Sequence, residues 1–179
     1  MTEVFPTFAR ILVPIDFVDI GEESATDGAL VVSVEDHRIL FTSPTLRAVA
    51  LATSLGQAYG ATVRLLHATP PLQTNSIYSG PVSLPTGLIE EINDRASTMS
   101  TAVLRQLEPR FGSGVTLEYA VRPGTPLLLV LEEAESFGAD LIVLAASGRS
   151  RVARFFVGST ADRLVRQAPC PVLVVPANE

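Results

Sequence analysis

The residues with the clearest chemical potential lie late in the chain. Ala145-Ala146-Ser147-Gly148 is followed by nine residues and then by Gly158-Ser159-Thr160. An apolar run, Leu141 to Leu144, leads into this stretch, and helical spacing follows it. A strand that feeds a glycine turn, with a second glycine opening a helix, suits phosphate. The first turns of a helix leave N–H groups without partners, and the aligned peptide dipoles favour negative charge there. Glycine lets the backbone approach the ligand closely. Arg149 adds a cation beside the first glycine, and Ser159 and Thr160 add hydroxyls.

Other reactive side chains are sparse. Asp16 ends an apolar run, Ala9 to Ile15, and His67-Ala68 ends another, Thr62 to Ala68. His67 is expected in the core or in a pocket wall, and His37 in solvent. Two histidines and one cysteine at wide spacing give no metal site. Cys170, between two prolines, reads as a small buried hydrophobe. Ser159 has no visible histidine partner for a nucleophilic role. The chain has no lysine, which excludes lysine-based phosphoryl transfer and Schiff-base chemistry. Neither a P-loop nor a Gly-x-Gly-x-x-Gly after the first strand is present.

Composition narrows the class. With 179 residues and 47% hydrophobic content the chain can bury a full α/β core. No apolar stretch approaches the roughly 18 residues of a membrane span. Residues 1–6 lack the basic start and apolar core of a signal peptide, so the expected location is the cytoplasm. The net charge of −6 argues against nucleic acid as a partner. It is unevenly spread. Residues 149–168 hold five arginines and one acid, a local +4, which leaves −10 for the remainder. Such an island suits a phosphate ligand, or else marks a solvated helix face.

The elements that must position these groups alternate. Apolar runs at Ala9–Ile15, Thr62–Ala68, Val115–Val121, Asp140–Ala145 and Pro171–Val175 read as strands buried on both faces. Helices are expected from Ser43-Pro44, with Ser43 as cap, from about Pro85 to Arg110, from Thr125-Pro126, and after Gly158-Ser159. Thr69 to Leu84 reads as a long proline-rich loop. The alternation implies an α/β fold, a doubly wound open five-stranded parallel sheet of the Rossmann-like kind. Ligands of such folds sit beyond the carboxyl ends of the strands, where Asp16, Ala68 and Ala145 all fall. Residues 18–42 break the pattern. They read as an insertion, acidic at first and then a β-hairpin with Glu35-Asp36-His37 at its tip. A hairpin is marginal alone, so it packs on the domain or on a second subunit.

Taken together these landmarks resemble the universal stress protein family. The resemblance rests on Ile11-Leu12-Val13-Pro14-Ile15-Asp16-Phe17, on Leu65-Leu66-His67-Ala68, on Val121 to Pro126, and above all on the stretch from Gly138 through Gly148 and Gly158-Ser159 to Val175. It covers nearly the whole chain, 1–179, as a single domain apart from the insertion. It implies strand order 3-2-1-4-5 and a site for ATP or AMP, with Mg²⁺ carried through phosphate. The implied site comprises Pro14, Ile15, Asp16, Ala68, Leu144, Ala145, Gly148, Arg149, Gly158, Ser159 and Thr160. Asp16 would meet the ribose and adenine end, backbone groups of Ala68 the adenine edge, and Gly148, Gly158, Ser159 and Thr160 the phosphates. The resemblance also implies a homodimer through the last strand, Pro171 to Val175, whose apolar edge invites pairing with another chain.

Two features depart from the family pattern. Ala145 stands where the motif has its first glycine. If that position needs positive φ, alanine costs about 1 kcal/mol and weakens binding about fivefold. At negative φ the backbone carries no such penalty, and only the methyl's bulk near the ribose remains. The insertion leaves the sheet directly after Asp16, so it forms a lid or wall, a subunit contact, or a neutral decoration. The expected function is an adenine-nucleotide-binding regulator or sensor in stress response, with slow hydrolysis at most. The alternative is a dimeric interaction module that has lost the nucleotide.

Overall fold

The computed structural model describes residues 7–23, 28–70, 86–146 and 159–176. In chain order the strands are β1 (Arg10–Pro14), β2 (Val18–Asp19), β3 (Leu30–Val34), β4 (His37–Phe41), β5 (Thr62–Thr69), β6 (Thr116–Pro123), β7 (Leu141–Ala145) and β8 (Val172–Val175). The helices are α1 (Ser43–Tyr59), α2 (Thr86–Arg105), α3 (Glu108–Phe111), α4 (Pro126–Phe137) and α5 (Ser159–Gln167). Five strands form one parallel sheet in the order β6-β5-β1-β7-β8. This is the expected 3-2-1-4-5 order. Val13 lies opposite Leu65 and Leu12 opposite Ile142, so β1 is the central strand. No helix among the described residues is long and apolar enough to cross a membrane.

Strand alternation divides the core into two layers. Ile11, Val13, Val63 and Leu65 face α1 and α2, where Val49, Ala52, Val103 and Leu104 close the packing. Leu12, Leu66 and Ile142 face α4 and α5 and meet Val130, Ala134, Phe137 and Leu164. Helix α1 lies so close to the sheet that a Cβ on Gly56 would stand 2.6 Å from Val115 Cγ2 and 2.9 Å from Val63 Cγ2. Glycine is therefore required there by the close approach.

The helix signals hold with two adjustments. The cap of α1 is Thr42, not Ser43: its backbone is extended and its hydroxyl accepts the Thr45 amide at 3.4 Å. Pro44 falls in the first turn, where no helical N–H bond is needed. The expected helix over Pro85 to Arg110 is broken. Gln106 and Leu107 turn on i−3 bonds to Val103 and Leu104, and α3 starts afresh with Pro109 in its first turn. A proline there would have cost a continuous helix one hydrogen bond and a clash.

The insertion is larger than a hairpin. β3 and β4 pair antiparallel across Glu35-Asp36, and β2 adds a third strand on the far side of β4, with Val18 opposite Leu40. Its entry is tied by side chains. Asp19 bonds His37 Nδ1 at 2.6 Å and the Gly21 amide at 3.0 Å, while Arg38 donates to the Gly21 carbonyl at 2.9 Å. The His37 bond, more than the amide, holds the Asp19 carboxyl below its ordinary range. Val34, Ile39 and Phe41 are buried in the layer shared with α1 and α2. Of the two expected supports for a marginal hairpin, the insertion has the first: it packs on its own chain.

Candidate functional site

The strand order reverses between β1 and β7. β5 and β6 lie to one side of β1, β7 and β8 to the other, so the crossovers diverge there, and the carboxyl ends at such a reversal are where ligands of doubly wound folds bind. The residues that reach this edge are the ones that matter. Pro14 is the last residue of β1. Ile15, buried, extends it by one bond, its amide donating to the Leu66 carbonyl at 2.8 Å. Asp16 follows, exposed. Ala68 lies near the end of β5, half-buried, opposite Arg122 of β6. Just beyond, the Gly124 amide donates to the Thr69 carbonyl at 3.0 Å. Gly124 turns with φ +148, closing β6 onto α4 in a backbone state that side chains rarely take.

On the other side of the switch, Leu144 is buried and Ala145 half-buried at the end of β7. Ala145 pairs with Val175, and the Ala146 amide donates to the Val175 carbonyl at 2.8 Å. Among the described residues other than glycine only Glu35 has positive φ, so Ala145 keeps ordinary strand geometry. The backbone penalty that alanine would carry at a glycine-only position does not arise. Ser159 and Thr160 form the first turn of α5, and Ala161 and Leu164 bury that helix against the sheet. Gly148, Arg149 and Gly158 lie outside the described residues. Of the arginine island, Arg163 and Arg166 are exposed, and Arg166 pairs with Asp162 one turn back at 3.1 Å. These two lie on a solvated helix face.

An aromatic pair backs the rim at Asp16. The Phe17 ring stacks on the His67 ring with centroids 4.0 Å apart and planes 18° apart, and it also meets Phe41 edge-on at 5.8 Å. His67 Nδ1 lies 2.9 Å from the Ile15 carbonyl. A carbonyl only accepts, so Nδ1 carries the hydrogen. Burial lowers the His67 pKa from its ordinary 6.5, against the opposing pull of the Ile15 bond and of Asp16's charge. His67 is thus buried, as expected of a core or pocket-wall histidine. The signals for the pair were a phenylalanine directly after Asp16 and a histidine directly before Ala68. Neither residue alone says that they touch.

A charged cluster on the α4 face was not expected. Arg64 donates to Glu118 at 2.5 and 2.9 Å and to Glu133 at 2.6 Å, and its guanidinium lies 3.8 Å from the Phe137 ring centre. Arg122 donates to Glu132 at 3.0 Å and lies 3.6 Å from Glu133. Glu133 is buried, and two arginines offset its charge. The cluster lies over β5, β6 and α4, away from the β1/β7 reversal.

Fold and strand ends define a class: a doubly wound α/β protein with its candidate site at the carboxyl edge that carries Asp16 and leads into the helix opening on Ser159-Thr160. The model of the universal stress protein family matches residues 36–176, and the chain belongs to that family. A universal stress protein of Thermus aquaticus, encoded in the QAH/OAS sulfhydrylase 3′ region, is 34% identical over 130 residues, 72% of this chain and 88% of its own. A universal stress protein solved in complex with cAMP superposes with TM-score 0.57 at 21% identity, covering 95% of this chain and 98% of that one. An Arabidopsis thaliana family member with AMP bound gives TM-score 0.53 at 14% identity, covering 95% and 92%. At these identities the two structures share the fold.

Proposed function

We propose that this chain is a cytoplasmic universal stress protein that binds an adenine nucleotide, ATP or AMP, and works as a regulatory or sensor homodimer. The whole chain acts as one unit, with residues 18–42 as an insertion. One observation carries the reading: the ends of β1, β5 and β7 bring Asp16, Ala68 and Ala145 to the edge where the strand order reverses. The helix that follows β7 opens on Ser159-Thr160. Family members solved with cAMP and with AMP support the ligand class.

In this reading the Asp16 carboxylate accepts from ribose hydroxyls, and backbone groups at Ala68 meet the adenine edge. Pro14, Ile15, Leu144 and Ala145 line the crevice. Gly148, Arg149, Gly158, Ser159 and Thr160 hold the phosphates, where amides at a helix start offset anionic charge. Mg²⁺, where present, is carried by the phosphates. The sequence places no general base for hydrolysis, so in this reading the activity is binding, with slow turnover at most. Dimerisation uses β8, whose outer edge is unpaired among the described residues and whose Leu173 is exposed.

Calorimetry with AMP, ATP and cAMP, with and without Mg²⁺, tests the reading. At least one adenylate binds, and Asp16→Ala weakens it about tenfold, the loss expected for a charge-assisted hydrogen bond. Failure of all three to bind would overturn the nucleotide reading in favour of an interaction module.

A further inference from the structure

His67 grips the chain on both sides of Asp16. Its Nδ1–H donates to the carbonyl of Ile15, the residue before, and its ring stacks on Phe17, the residue after. The Ile15 carbonyl belongs to the same peptide plane as the Asp16 amide. Fixing that oxygen fixes the plane from which Asp16 departs, and fixing the Phe17 ring limits how the chain leaves it. The imidazole is itself immobile, 9% exposed on a strand paired on both sides. The Ile15 amide is bound to Leu66, next to His67 in the chain, and Phe41 packs edge-on against Phe17. These restraints on Asp16's neighbours come from the end of β5 and from the insertion.

Resting on the nucleotide reading, we infer that His67 is a positioning residue for Asp16, setting the direction of its carboxylate and with it the protein's preference for a ribose that bears hydroxyls. It acts through Ile15 and Phe17 and touches no ligand. A purely structural histidine would fill the same space, but its replacement would not alter discrimination between two nucleotides that differ only at the ribose.

Two variants separate the contacts. His67→Phe keeps an aromatic face on Phe17 and drops the bond to Ile15. His67→Asn places an amide donor near the Nδ1 position and drops the stack. Kd values for AMP and 2′,3′-dideoxy-AMP, measured by calorimetry on the full chain, are the readout. His67→Phe is expected to weaken AMP about tenfold while dideoxy-AMP stays within about twofold, and His67→Asn to recover most of the AMP affinity. An unchanged preference in His67→Phe, or an equal loss for both nucleotides, would overturn the assignment. If the unsubstituted chain binds neither of these and ATP and cAMP fail as well, the nucleotide reading fails separately. Hydrogen exchange at the Ile15 amide then decides the positioning: faster in His67→Phe and near the original rate in His67→Asn supports it, and any other order overturns it.

Discussion

Ala145 shows what one side chain can and cannot disclose. Its identity, alanine for glycine, was plain in the sequence; its φ was not, because φ is set by the pairing of β7 with β8. At strand geometry a glycine would only add chain entropy. Ala145→Gly is therefore expected to lower stability by roughly 0.5–1 kcal/mol, read as a lower thermal midpoint, with AMP affinity changed by no more than about twofold. His67 gives a second prediction. Its folded pKa is depressed by burial, so as pH falls the unfolded chain takes up the proton first. Stability from this group is complete above pH 6.5 and declines from there down to the depressed folded value. Urea midpoints measured on both sides of pH 6.5 will show this slope, and His67→Asn will lack its contribution. Histidine at a strand end was legible. Its contact with Phe17 was not, since it depends on how the chain turns after Asp16.

At the scale of elements the insertion is the instructive case. Apolar runs through Leu30-Val31-Val32 and again through Ile39-Leu40-Phe41 marked two strands around a polar turn. The third, β2, is two residues long and exists only because Val18 meets Leu40, a pairing no local window contains. The insertion's role as a wall of the core was equally hidden. Phe41 is fully buried in the layer beneath α1 and α2. Phe41→Ala is expected to cost roughly 3–5 kcal/mol in urea denaturation, the usual range for removing a buried ring. A loss under about 1 kcal/mol would mean that the insertion is decoration. The charged cluster at Arg64 escaped for a different reason. Arg64 and Glu118 each interrupt an apolar run, but only register brings them opposite one another.

At the scale of the molecule, the alternation with right-handed crossovers disclosed a doubly wound sheet, whereas its strand order was legible only through the family resemblance. The position of the candidate site followed from that order, and of the arginine island Arg163 and Arg166 match the solvated-face alternative. The proposed dimer belongs to this scale. Leu173→Arg places a charge on the exposed edge strand β8 and is expected to convert a dimer to monomer in sedimentation equilibrium, leaving the fold unchanged by circular dichroism. An unchanged mass would remove β8 as the contact. The short loop between β3 and β4 has a kinetic corollary. Those strands close over two residues, whereas Val13 must find Leu65 and Leu12 must find Ile142. Loop-closure entropy makes the nearby pairing the faster event. The segment that interrupts the strand–helix alternation is thus the first able to nucleate, and Phe41 arrives early as a seed on which the slower strands condense.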